Sequence, residues 1–144
     1  MEQNFLIEEM KKNHINEVIE LWKETEGIHL HENGEDNADG ISMFIDRNKG
    51  LSFVAKNNKD EIIGTILCGN DGRRGYIHHL AVKKNNRNNG IAKELVNRAL
   101  QNLQYAGIKK AALFVLKDNN DAQSFYKHIG WNQEEIINIY SKIL

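Results

Sequence analysis

Between Leu51 and Leu103 the hydrophobic period changes once, and that change restricts the fold more than any other feature. Leu51-Ser52-Phe53-Val54-Ala55 reads as a strand, Asn57 to Asp60 as a turn, and Ile62 to Cys68 as a second strand. Gly69-Asn70-Asp71-Gly72 is a further turn signal, and Tyr76 to Val82 a third strand. Connections this short demand antiparallel neighbours, so the three form a meander. A polar loop from Lys83 to Asn89 then leads to Gly90, after which Ile91, Leu95, Val96, Ala99, Leu100 and Leu103 recur at helical spacing. That helix should run to about Tyr105 and stop at Gly107.

Flanking segments extend the pattern. Phe5-Leu6-Ile7 can begin the sheet. Asn13 is a candidate cap for a helix carrying Ile15, Val18, Ile19 and Trp22, which should end near Gly27. Ile28 to Asp39 is polar, acidic and without period, and reads as a mobile loop before a short helix over Ile41 to Arg47. Beyond Gly107, Ala111 to Leu116 is apolar on both faces, as a buried central strand should be. Asp121 to His128 reads as a short helix closed by Gly130, and Ile136 to Ile143 as a last strand. Strand, loop, helix and strand in the centre predict a right-handed crossover within a mixed α/β sheet.

With 144 residues and no repeat, linker or low-complexity tract, residues 1–144 are expected to form a single domain. The net charge of -1 gives no general attraction for nucleic acid or for anionic membranes, so neither is an expected partner. No run approaches the ~20 apolar residues of a spanning helix, and Met1 to Met10 lacks the basic and apolar blocks of a signal peptide. The lone cysteine, Cys68, cannot form an internal disulfide and sits in an apolar run as a buried thiol. A cytoplasmic location is the resulting expectation.

Chemistry concentrates at two places. At the first, Arg87-Asn88-Asn89-Gly90-Ile91-Ala92 opens the long helix, whose start offers unpaired N–H groups and the positive end of a dipole. Glycine admits a ligand close to the backbone, and Arg87 adds charge, so the loop suits a pyrophosphate. The second is Asn119-Asn120-Asp121-Ala122-Gln123-Ser124-Phe125-Tyr126-Lys127-His128-Ile129-Gly130-Trp131, which follows the strand after that helix.

Taken together the two stretches resemble the GNAT superfamily of N-acetyltransferases. Arg87, Gly90 and Ala92 match the family's R/Q-x-x-G-x-G/A loop, and Asn119, Ala122, Tyr126, Gly130 and Trp131 match its N-x-x-A-x-x-x-Y-x-x-x-G-F/W signature about 30 residues on. The likeness is good from Leu51 to Trp131 and loose before it. The loop departs from the pattern in having Lys83 and Lys84 where a proline is frequent, and Asn88 where glycine is common.

The resemblance implies a GNAT-like fold, with a central mixed sheet of six to seven strands flanked by about four helices. It further implies acetyl-coenzyme A as acyl donor, no metal, and transfer to a primary amine by direct attack in a ternary complex. Leu80, Ala81 and Val82 would pair with the pantetheine arm as an added strand would. Asn88, Asn89, Gly90, Ile91 and Ala92 would present N–H groups to the pyrophosphate, and Asn119 would bond the coenzyme, although a helix cap explains that asparagine equally well. Tyr126 would protonate the leaving thiolate.

The family places its base on the strand before the loop. Counting back from Val82 picks His78, on the face of Tyr76 and Leu80; a bulge would exchange the faces and bring in His79, opposite with Ile77. A water chain without a dedicated base is the third option.

Arg73 and Arg74 lie at a hairpin tip, where they are either solvated or grip an anionic substrate group. His29, His31 and Glu32, with Glu35 and Asp36, lack the spacing of a metal site; they read as part of a mobile solvated loop, with an acidic lid attracting a cationic amine as the alternative. The acceptor is therefore left as a small-molecule or peptide amine, and a homodimer is compatible with the chain. The alternative is a non-catalytic acyl-coenzyme A sensor, which would need the loop but neither Tyr126 nor the histidines.

Overall fold

The structure is a computed structural model that describes residues 4–144. Met1 to Gln3, the start of the segment without signal-peptide character, lie outside the described residues. The chain divides into two compact units, one running through Phe114 and the other from Val115 to Leu144.

The first unit is built on a five-stranded sheet in sequential order. Strand β1 (Leu6–Glu9) pairs antiparallel with β2 (Phe53–Lys56), β2 with β3 (Ile62–Asn70), and β3 with β4 (Gly75–Val82). The expected meander is thus present, with β3 and β4 each longer than the apolar runs because turn-flanking residues join the ladder. Strand β5 (Ala111–Leu113) lies parallel to β4 at the edge, after the crossover helix α3 (Ile91–Tyr105).

Two helices, α1 (Ile15–Lys23) and α2 (Ala38–Arg47), share a core with one face of the sheet. Val18, Leu21 and Trp22 of α1 and Ile41 and Ile45 of α2 pack with Val54, Leu67 and Ala81. Helix α3 covers the other face. Gly64 permits that approach, since a Cβ there would stand 2.9 Å from Ile91 Cγ2 and 3.2 Å from Leu95 Cδ1. Arg98 of α3 lies over the Phe53 ring, 5.6 Å from its centroid. Cys68 is buried as expected, and desolvation pushes its thiol up to about 12, so it is inert packing.

Several expected boundaries shift for local reasons. Asn13 does not cap α1; it lies in a 3-10 turn, Lys12–His14, where the buried His14 imidazole accepts from Lys11 N–H at 3.0 Å. Helix α2 begins three residues before Ile41 because Asn37 caps it, its side-chain oxygen accepting from Gly40 N–H at 2.8 Å. Ile28 and Leu30 of the preceding loop pack against the core, so the loop is held down rather than solvated throughout.

Strand β5 corrects the prediction of a buried central strand over Ala111 to Leu116. It spans only three residues, all half-buried, and Phe114 is largely exposed. How far a strand is covered depends on the neighbours it finds, and β5 pairs only with β4, at the end of the sheet.

The second unit contains helix α4 (Asn120–His128), capped by Asn119. Trp131 N–H returns to the Tyr126 carbonyl at 2.9 Å, and the two rings meet edge-on at 5.7 Å. Ile136 to Ile143 forms no strand; Ile136, Tyr140 and Ile143 are almost fully exposed. The sheet therefore has five strands among the described residues, not six or seven, while the α/β class and the four α-helices stand. Among the described residues no helix is long and apolar enough to cross a membrane.

Replacing Gly64 by valine should lower unfolding free energy by about 1–3 kcal/mol through overpacking against Ile91 and Leu95. Urea denaturation followed by circular dichroism measures this, and an unchanged midpoint would show that α3 can shift.

Candidate active site

Strand β4 leaves its parallel neighbour early. Only Gly75, Tyr76 and Ile77 pair with β5, so from His78 to Val82 that edge has no strand partner among the described residues. The free edge runs straight into the loop that opens α3. There a 3-10 turn, Lys84–Asn86, is anchored by Lys83 N–H on the Ile63 carbonyl at 2.8 Å.

Past this turn Asn88 has φ of 65° and Gly90 φ of 79°, both left-handed. Glycine takes that conformation freely and asparagine is the side-chain-bearing residue that tolerates it best, which accounts for Asn88 where glycine is common. The N–H groups of Asn88, Asn89 and Gly90 make no backbone hydrogen bond among the described residues. With those of Ile91 and Ala92 in the first turn, they form a row of donors at the positive end of a 15-residue helix. A Cβ at Gly90 would meet nothing within 4 Å, so the approach is open. Arg87 is exposed, its Nε donating to the Val82 carbonyl at 3.3 Å. Backbone donors, dipole and a nearby guanidinium fit a pyrophosphate, and the free β4 edge fits an amide-bearing arm.

On the opposite side of β4 the ladder breaks. Thr65 pairs with Ala81 and Leu67 with His78, so His79 and Leu80 together face the single residue Ile66. This is a β-bulge, and His79 sits in it with φ of 50°. Simple alternation, which put His78 and His79 on opposite faces, is therefore corrected. His78 packs edge-on to Phe44 of α2, with ring centroids 5.9 Å apart, and His79 stacks against Trp22 of α1 at 4.8 Å. Both imidazoles face the α1–α2 side. Burial first, and the neighbouring His79 second, hold His78 below the usual imidazole range.

Hydrogen bonds hold the bulge. Trp22 Nε1 donates to Thr65 Oγ1 at 2.8 Å, and the Thr65 hydroxyl donates to the His79 carbonyl at 3.3 Å. His79 Nε2 lies 2.8 Å from Oδ1 of Asp36, a carboxylate that is only 2% exposed. Trp22 is the core residue the sequence suggests, yet it also backs the site.

Other candidate residues are placed as follows. Asn119 Oδ1 accepts from Ala122 N–H at 3.1 Å, so its capping role is real. Tyr126 is half-buried on α4, and desolvation holds its phenol well above the ordinary range, keeping it protonated. His29, His31 and Glu32 are exposed, and Glu32 reaches Lys23 at 3.5 Å. Arg73 and Arg74 flank a turn whose geometry Asp71 sets, its Oδ1 accepting both their N–H groups at 2.8 Å. That turn is at the far end of β4 from the Gly90 loop, roughly 23 Å away at strand rise.

Asp36 is the residue that pattern reading undervalued. It was one acid among several, with only the adjacent Asn37 cap hinting at an ordered chain there.

The sequence matches the model of the acetyltransferase (GNAT) family over residues 15–131. The chain belongs to the GNAT acetyltransferases. Solved structures with this fold include the aminoglycoside N-acetyltransferase AAC(6')-Iy in complex with a coenzyme A bisubstrate analog, at 19% identity and TM-score 0.75, covering 97% of this chain and 99% of that one. The PaiA N-acetyltransferase of Thermoplasma acidophilum, solved with coenzyme A, has 20% identity and TM-score 0.78 over 92% of each chain. An aminoglycoside acetyltransferase from an uncultured soil metagenomic sample, in complex with sisomicin, has 19% identity and TM-score 0.76, covering 98% of this GNAT chain and 97% of its own. At these identities the likeness concerns the fold.

Two outcomes test the site's construction. Asn88→Ala should cost about 1 kcal/mol of stability, since alanine pays the left-handed penalty, while Asn88→Gly should cost nothing comparable; equal denaturation midpoints for the two would contradict the loop conformation. Burial also depresses His14, so two imidazoles stay neutral in the folded chain at pH values where the unfolded chain protonates them. Stability should therefore be fully present above about pH 6.5 and fall as pH drops below it. Denaturation at pH 7.5 and 5.5 checks this, and His78→Asn should show a smaller loss than the parent.

Proposed function

We propose that this chain transfers the acetyl group of acetyl-coenzyme A to a primary amine by direct attack in a ternary complex. The observation that carries the reading is the parting of β4 from β5 beside the row of free N–H groups at Asn88 to Ala92, with two imidazoles on the same strand. Donor binding and proton acceptance thus meet on one five-residue stretch.

Acetyl-coenzyme A supplies an acetyl group activated as a thioester. Leu80, Ala81 and Val82 hold its arm by backbone pairing, and Arg87 with the N–H groups of Asn88 to Ala92 holds its phosphates. The backbone N–H near Leu80 polarises the acetyl carbonyl. Only a neutral amine has the lone pair for attack, so an imidazole on β4 takes a proton from the arriving ammonium. Tyr126, assigned by its match to the family signature, gives a proton to the departing sulfur. Its raised phenol guarantees the protonated form, at some cost in acidity.

The acceptor fits a small cationic amine better than a peptide. The α1–α2 loop beside the histidines carries Glu32, Glu35 and Asp36 and no lysine or arginine from Ile28 to Asp39. Two of the solved relatives are aminoglycoside acetyltransferases, which is consistent with this choice.

Calorimetric titration of acetyl-coenzyme A should show binding to the parent and none to Gly90→Glu, whose carboxylate would occupy the anion cradle. A thiol-release assay over a panel of polyamines, aminoglycosides and peptide amines should then find turnover, reduced about 100-fold or more in Tyr126→Phe. Binding without turnover on any amine would leave a coenzyme sensor instead, and full turnover in Tyr126→Phe would remove its role.

A further inference from the structure

His79 is held more firmly than packing requires. Its backbone carbonyl accepts from Thr65, its ring lies on Trp22, and its Nε2 meets the buried Asp36 carboxylate. Asp36 is itself fixed. Its Oδ2 accepts from His31 N–H at 2.9 Å, and its own N–H returns to the His31 carbonyl at 3.2 Å. The carboxylate therefore belongs to a closed turn of the loop, not to a swinging side chain.

An ionised carboxylate can only accept, so the proton between Asp36 and His79 sits on Nε2. That leaves the lone pair on Nδ1. No hydrogen bond to Nδ1 occurs among the described residues, and no buried side-chain nitrogen or oxygen among them lacks a partner. Nδ1 must then reach solvent on the α1–α2 side of the bulge. His78, beside it, has the competing claim, but no hydrogen bond to its ring sets a tautomer, and Phe44 packs against it.

We propose that Asp36 is a positioning residue that holds His79 as the Nε2–H tautomer, so that Nδ1 is the base for the acceptor amine. This rests on the acetyl-transfer reading. In the step, an N–H bond of the substrate ammonium breaks, its electron pair stays on the amine nitrogen, and an Nδ1–H bond forms. The imidazolium so created is balanced by the Asp36 carboxylate, and it returns its proton to solvent through Nδ1. Among the described residues the His79 ring meets the Asp36 carboxylate from the loop and the neutral Trp22 indole from α1, and His78 is its titratable neighbour on β4, itself acted on by Asp36 and Glu35.

The test has one readout independent of turnover. Long-range proton–nitrogen NMR on histidine-labelled protein should show His79 with Nε2 protonated and Nδ1 bare, and this preference should be lost in Asp36→Asn. On the amine found by the thiol-release panel, Asp36→Asn should lower kcat at least tenfold with KM little changed, whereas a mere loop tether would raise KM. In a His79→Ala background, Asp36→Asn should add no further loss of kcat. An Nδ1–H tautomer in the parent, a loss confined to KM, or additive losses would each overturn the proposal. Failure of acetyl-coenzyme A to bind overturns the functional reading and the base role with it, and the NMR tautomer separates that result from an error about Asp36.

Discussion

One extra residue in β4 determines how the site is built. Because His79 and Leu80 share the space opposite Ile66, the strand changes the direction of its side chains at the point where it also loses its parallel partner. The bulge is stabilised from the α1 side by the Trp22 indole, the Thr65 hydroxyl and the His79 carbonyl, a chain of buried donors and acceptors with no gap. In a low-dielectric core each of these groups would be costly if left unpaired, so the bulge and the seating of α1 support one another. Placement of both imidazoles and the fixation of Asp36 follow from it.

The opposite edge of the same strand is organised by absence of pairing. Donors and acceptors that a longer β5 would satisfy have no strand partner among the described residues, and the chain then turns through two left-handed residues to bring the start of α3 beside them. Gly64 lets α3 lie close against the sheet, which sets where that helix begins in space. A single eight-residue strand thereby serves two surfaces: backbone groups on its edge and imidazoles on its α1–α2 face.

Much of this was legible in the linear chain. Turn residues at Asn57 to Asp60 and Gly69 to Gly72 announced the meander, and the apolar spacing from Ile91 to Leu103 matched α3 to within a residue. The Gly90 loop and the Tyr126 signature identified the family, which the match over residues 15–131 bears out. Less was legible where partners are distant. Ala111 to Leu116 and Ile136 to Ile143 have strand-like composition, but one pairs for three residues and the other for none. The Ile28 to Asp39 stretch looked solvated because its acids have no period, while its structure comes from single contacts: Ile28 and Leu30 on the core, Asp36 on His79.

By itself, then, the sequence determined the elements whose causes are local: the tight turns, the amphipathic helices and the order in which they follow. Only the tertiary structure decided which way the two histidines point and which of the loop's acids is buried. Those outcomes depend on a register offset between β3 and β4 and on hydrogen bonds joining residues 14 and 43 positions apart. Side-chain period in a strand is two, so one inserted residue reverses every assignment made by counting, and no local propensity records where the insertion falls.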